Sequence, residues 1–179
     1  MSTPLTTHVA REVEGRPVSR GANIIARVIP LTVLPAGVWR IVLGFGVPMG
    51  FTRTALERDD MPGWGTVSTI FLSVLTECLA LLSLGLVRPW GEVVPRWVPG
   101  LAGRRIPPLA VVVPAAVGGV LLTVMWGWAV LGLVNGRVEH FTGGVGWRAL
   151  LLGCYLPTLL WGPLLLVLTF LYEGRRRAA

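Results

Sequence analysis

Three polar breaks divide most of this sequence into four apolar runs, at 22–47, 66–87, 109–134 and 147–172. Each run exceeds the ~20 residues that a helix needs to cross ~30 Å of hydrocarbon. In lipid the backbone has no water to bond, so such runs must satisfy their own N–H and C=O groups as helices. The expected fold is therefore an all-α integral membrane protein, a four-helix transmembrane bundle over 22–172. A polar segment, 1–21, precedes it and is expected to be disordered; a basic tail, 173–179, follows. The Arg-rich start and the apolar run 28–39 have the outline of a signal peptide. No A-x-A-like site follows, however, and apolar character resumes at Ile41, so an uncleaved first span is expected.

Charge sets the expected orientation. Every basic side chain is Arg. Ten lie on one side of the spans: Arg11, Arg16, Arg20, Arg88, Arg96, Arg104, Arg105, Arg175, Arg176 and Arg177. Four lie on the other: Arg53, Arg58, Arg137 and Arg148. The positive-inside rule then puts both termini in the cytoplasm, in a cytoplasmic (inner) membrane crossed several times. Trp90 and Trp97 would mark the cytoplasmic interface, and Trp64 and Trp147 the outer one. The net charge of +7 does not point to nucleic acid, because the Arg residues flank apolar runs instead of forming a basic stripe with aromatics. An Arg-only, Gly- and Pro-rich composition suggests a GC-rich bacterial genome.

The loop after the second run, RPWGEVVPRWVPGLAGRRIPP, has too many prolines for a long helix. Its Trp, Val and Arg content suits a chain lying at the interface, with Arg96, Arg104 and Arg105 contacting anionic lipid headgroups or simply anchoring topology. Cys78 and Cys154 sit in apolar runs, and His8 and His140 in unrelated polar segments. No metal or cofactor spacing is visible, and none is expected.

Small and polar residues recur at helical spacing within each run: Gly37, Arg40 and Gly44; Thr66, Thr69, Ser73, Glu77 and Ala80; Ala116, Gly119, Thr123 and Gly127; Cys154 or Tyr155, Thr158 and Gly162. Such stripes let helices approach closely in lipid and are expected to face inward. Pro114, Pro157 and Pro163 can kink the third and fourth spans.

Arg27 and Arg148 lie toward the ends of their runs, and two charges stand deeper inside. Arg40 would lie roughly 10 Å below the outer boundary and Glu77 roughly 16 Å below it. Intramembrane charges are costly and mark functional sites by default. An Arg40–Glu77 pair is expected on adjacent antiparallel helices, with Tyr155 at similar depth and Trp126 or Trp128 as an aromatic wall. Three readings stay open at this point: a ligand pocket, a purely structural ion pair, and an Arg40 that snorkels outward to the interface.

WRIVLGFGV around Arg40 and ECLALLSLGLVRPWG from Glu77 resemble the DoxX-like family, small four-helix bacterial membrane proteins. The resemblance covers roughly the first half of the chain. It implies a four-helix bundle in which Arg40 and Glu77 are the corresponding positions, and a quinone- or redox-linked partner role. The long Pro/Trp/Arg loop and the end of the first span depart from that pattern. The chain is also similar to small four-span proteins of high-GC Gram-positive bacteria, which implies no activity.

The functional expectation is a non-enzymatic accessory subunit, or a binder of a lipid or small amphiphile, around Arg40 and Glu77. Its partners would be membrane lipids and another membrane protein or a second copy of the chain. An enzyme acting on a lipidic substrate, with Glu77 as acid and base, is the alternative. A carrier ranks last, since no inverted repeat or broken-helix pair is visible.

Overall fold

A computed structural model describes residues 18–88, 106–137 and 140–177. Four of its helical segments are long and apolar enough to cross a membrane, and the chain is a multi-pass membrane protein of all-α class. The first span is α1 (Arg20–Gly44). A short helix, α2 (Arg53–Arg58), lies in the following loop. The second span is α3 (Trp64–Leu82), continued by a 3-10 turn, Ser83–Leu86. The third is α4 (Pro108–Val134). The fourth is α5 (Val145–Tyr155), a 3-10 segment Leu156–Leu160, and α6 (Trp161–Arg177).

Local chemistry accounts for these boundaries. The Ser19 hydroxyl accepts from the Ala22 N–H at 3.1 Å and starts α1. Arg20 and Gly21 are thus helical, which shortens the expected disordered segment; residues 1–17 of it lie outside the described residues. Pro108 opens α4 at a position where no N–H is needed. α6 runs past the apolar region to Arg177, where Glu173 and Arg177 pair at 2.5 Å one turn apart, so most of the expected basic tail is helix.

Pro30 and Pro35 sit inside α1 and Pro114 inside α4, and both helices continue through them. Pro30 cannot donate to the Ala26 carbonyl. The Ser83 hydroxyl, 2.6 Å from Ala80 O, also stands 3.5 Å from that freed carbonyl. The fourth span behaves differently. It changes to 3-10 geometry at Leu156–Leu160, around Pro157, where the Thr158 hydroxyl donates to Tyr155 O at 2.6 Å. The expected kink is thus a local tightening to 3-10 geometry within one continuous helical span.

α1 and the fourth span form the centre of the bundle. α3 packs along α1, α4 packs along α6, and α1 meets α5, the 3-10 segment and α6. α3 and α4 share no interface of similar size. α1 is accordingly the most buried span and α4 the least. The core joins Ala26, Ile29 and Val33 of α1 to Trp126 of α4 and to Trp161, Leu168 and Tyr172 of α6.

Glycine sets the closest approach. A Cβ at Gly162 would overlap Thr123 Oγ1 and lie 2.6 Å from Thr123 N and 2.7 Å from Gly119 O, so α4 and α6 touch backbone to backbone. Gly44 does the same less tightly against Thr66 and Thr69 of α3.

The two loops at the Gly44 end are tied together. Thr52 N donates to His140 O at 3.0 Å, and Thr142 N and Gly143 N donate to Gly50 O at 2.9 and 2.8 Å. The Phe51 and Phe141 rings meet edge to face at 5.2 Å. Gly50 has φ +95°, and a Cβ there would lie 2.8 Å from the Phe141 ring, so this loop crossing needs glycine on both counts. Arg148 closes the same end by donating to Leu133 O and Val134 O at 3.4 and 3.2 Å, where α4 leaves carbonyls unpaired.

Candidate functional site

Most hydroxyls on the inner stripes are satisfied by their own helices. Ser73 donates to Thr69 O, Thr76 to Leu72 O, Thr123 to Gly119 O and Thr169 to Leu165 O, at 2.8, 2.5, 2.7 and 2.7 Å. Thr66 donates across to Gly44 O. These residues shape packing and present no free polar group to a ligand.

Arg40 is different. Its Nε and Nη2 are buried, and no acceptor meets either. The residue stands four positions before the end of α1, about 6 Å along the axis. Helical Cα–Cβ bonds tilt toward the N-terminus, so the Cβ of Arg40 tilts away from the nearer helix end. Its helix packs on α5 and the 3-10 segment, and Arg40 lies within electrostatic range of Tyr155, the last residue of α5. Tyr155 in turn meets Trp126, with ring centroids 6.0 Å apart and planes tilted by 56°. The Trp126 indole Nε1 is also buried without an acceptor. Tyr155 and Trp126 thus make one ring pair, with Arg40 on the adjoining helix, where the fourth span changes to 3-10 geometry.

Trp128 is not part of it. Trp126 is 7% exposed and Trp128 73% exposed. Two residues apart on a helix is a rotation of about 200°, so when one indole faces in, the other must face out.

Glu77 corrects the expected ion pair. Among the described residues the ion pair found is Arg177–Glu173, and neither an ion pair nor a hydrogen bond joins Arg40 to Glu77. The inner stripe of α3 passes through Ser73, Thr76, Ala80 and Ser83, which are buried, while Glu77 is half-buried on its flank. Steps of three and four from Ser73 reach Thr76 and Glu77 equally well, and the smaller, self-bonded Thr76 takes the tight contact. Register separates the two charges further. Gly44 lies against Thr66 and Thr69, and Ala26 against Ser83, so Arg40 is level with residues near Ile70. Glu77 is then about 10 Å deeper along the axis, not the ~6 Å expected from span ends.

Arg96, Arg104 and Arg105, with Trp90 and Trp97, lie outside the described residues. Of the two tryptophans expected at the outer interface, Trp64 is 76% exposed, and Trp147 packs edge to face on buried Trp39 at 6.2 Å. Among the described residues no three His, Cys, Asp or Glu side chains gather as metal ligands. Sequence reasoning missed Arg148, whose carbonyl partners are 14 and 15 residues away with no local pattern to announce them. It also missed Trp161, whose buried Nε1 lacks an acceptor in the same core.

Comparison with known proteins adds no family. No protein-family model, no curated protein and no solved structure matches this chain.

Proposed function

We propose that this chain is a non-enzymatic membrane protein that holds a lipid or small amphiphile at Arg40, Tyr155 and Trp126, acting as a binder or as an accessory subunit of a membrane assembly. One observation carries this reading: two buried guanidinium N–H groups without acceptors, on a helix that packs against the 3-10 segment of the fourth span. A 3-10 stretch within a helix often marks a functional hinge. A polar headgroup would satisfy Arg40, and the unjoined edges of α3 and α4 leave apolar surface for an acyl chain.

The test is chemical. Protein purified in mild detergent should carry an extractable amphiphile at near-stoichiometric level by mass spectrometry. Arg40→Gln should lower its recovery at least tenfold, and Trp128→Ala should not change it. Equal recovery from wild type and Arg40→Gln would refute the site.

Acid–base chemistry at Glu77 is the second reading, favoured by a half-buried carboxylate with no cationic partner among the described residues. The same measurement separates the two. Glu77→Gln should leave the bound amphiphile in place, because Glu77 stands apart from the Arg40 group. A redox role, as DoxX-like resemblance implies, would need Arg40 and Glu77 to act together.

We further propose that both termini face the cytoplasm of a bacterial inner membrane, on the strength of the Arg asymmetry. In intact cells, Ala179→Cys should resist a membrane-impermeant maleimide and Glu57→Cys should react; the reverse pattern would invert the topology.

A further inference from the structure

The identity of the two unaccepted atoms on Arg40 narrows the ligand. Nε and Nη2 lie on one edge of the guanidinium, with parallel N–H bonds directed the same way. That edge matches a group with two coplanar oxygens, which takes both bonds at once. A lone carbonyl or hydroxyl offers one oxygen and leaves the second N–H unpaired. Charge argues the same way. Among the described residues no carboxylate pairs with Arg40, so its charge is uncompensated in a low-dielectric setting. A neutral headgroup would bond the edge but leave the charge.

We propose that the molecule held at Arg40 carries an oxyanion, a carboxylate or a phosphate, which takes the Nε–Nη2 edge through two of its oxygens. The inference rests on the amphiphile reading above and adds the headgroup class. It separates Arg from Lys, because an ammonium supplies equal charge but no planar fork.

Four probes test it on the full chain, delipidated in dodecyl maltoside: dodecanoate, dodecyl phosphate, dodecanol and inorganic phosphate, with binding measured by calorimetry. The two anionic amphiphiles should bind wild type at least tenfold more tightly than dodecanol. Arg40→Lys, checked for fold by circular dichroism and gel filtration, should weaken them at least tenfold. Dodecanol binding as tightly as the anions would overturn the oxyanion inference and leave the amphiphile reading intact. Inorganic phosphate binding without any amphiphile would keep the oxyanion and overturn the amphiphile reading. Binding by no probe would overturn both. The comparison among probes uses wild type alone, so it decides the matter even if Arg40→Lys fails to fold.

Discussion

Adding one methyl group at Gly162 should separate the fourth span from α4. A Cβ there would fall on Thr123 Oγ1 and within 2.7 Å of two backbone atoms, Thr123 N and Gly119 O, and neither backbone can swing aside as a side chain would. Overpacking of this kind costs about 1–3 kcal/mol, and more where backbone must move. Gly162→Ala should therefore lower the thermal midpoint in detergent markedly, and Gly162→Leu should prevent recovery of a monodisperse protein. Gly127→Ala is the control. Nothing lies within 4 Å of a Cβ at Gly127, and a helical Gly→Ala change in open space gains about 0.5–1 kcal/mol. If Gly162→Ala and Gly127→Ala melt alike, the helices do not cross as described.

Removing the charge at Arg40 should have the opposite sign. Buried donors without acceptors cost about 1–3 kcal/mol, and an apolar residue of similar length carries no such penalty. Delipidated Arg40→Met should be more stable than delipidated wild type, by several degrees at about 2–4 °C per kcal/mol for a chain of this size. Saturating ligand should reverse the order, since a ligand at a hundred times its dissociation constant stabilises by about 2.7 kcal/mol and Met offers it no partner. A structural ion pair predicts otherwise: breaking it would strand a charge, and Arg40→Met would melt lower in every condition. Two melting curves, with and without dodecyl phosphate, separate these cases.

The spans were legible because length and composition alone determine them. The ends of α1, of α3 with its 3-10 continuation, and of α4 fall within three residues of those read from hydropathy. The small-residue faces were legible for the same reason: Gly44, Gly119, Thr158 and Gly162 are buried where their spacing put them. The site was legible in part. Arg40 stood out because charge in an apolar run is rare, and Tyr155 because depth can be counted. Rotation about a helix axis was not legible to better than one residue. That uncertainty exchanged Thr76 for Glu77 on the inner face, and it left Trp126 and Trp128 equivalent until the packing of α4 distinguished them. The 3-10 stretch after Tyr155 was legible only as a kink at Pro157, not as the geometry it takes. Pro30, Pro35 and Pro114 sit in helices that continue, so proline in a span does not by itself say whether the backbone bends, bonds elsewhere or stops.

The joined loops at the Gly44 end have a mechanical consequence. Backbone bonds from Thr52, Thr142 and Gly143 stitch the α1–α3 hairpin to the hairpin of α4 and the fourth span. Like the spring of a clothes-peg, that stitch clamps both hairpins by their backbones at the end nearest Arg40, whereas the far end is joined by long side chains, Arg175 donating to Leu86 O and Arg176 to Ile106 O at 3.3 and 3.1 Å, which yield more readily than a backbone stitch.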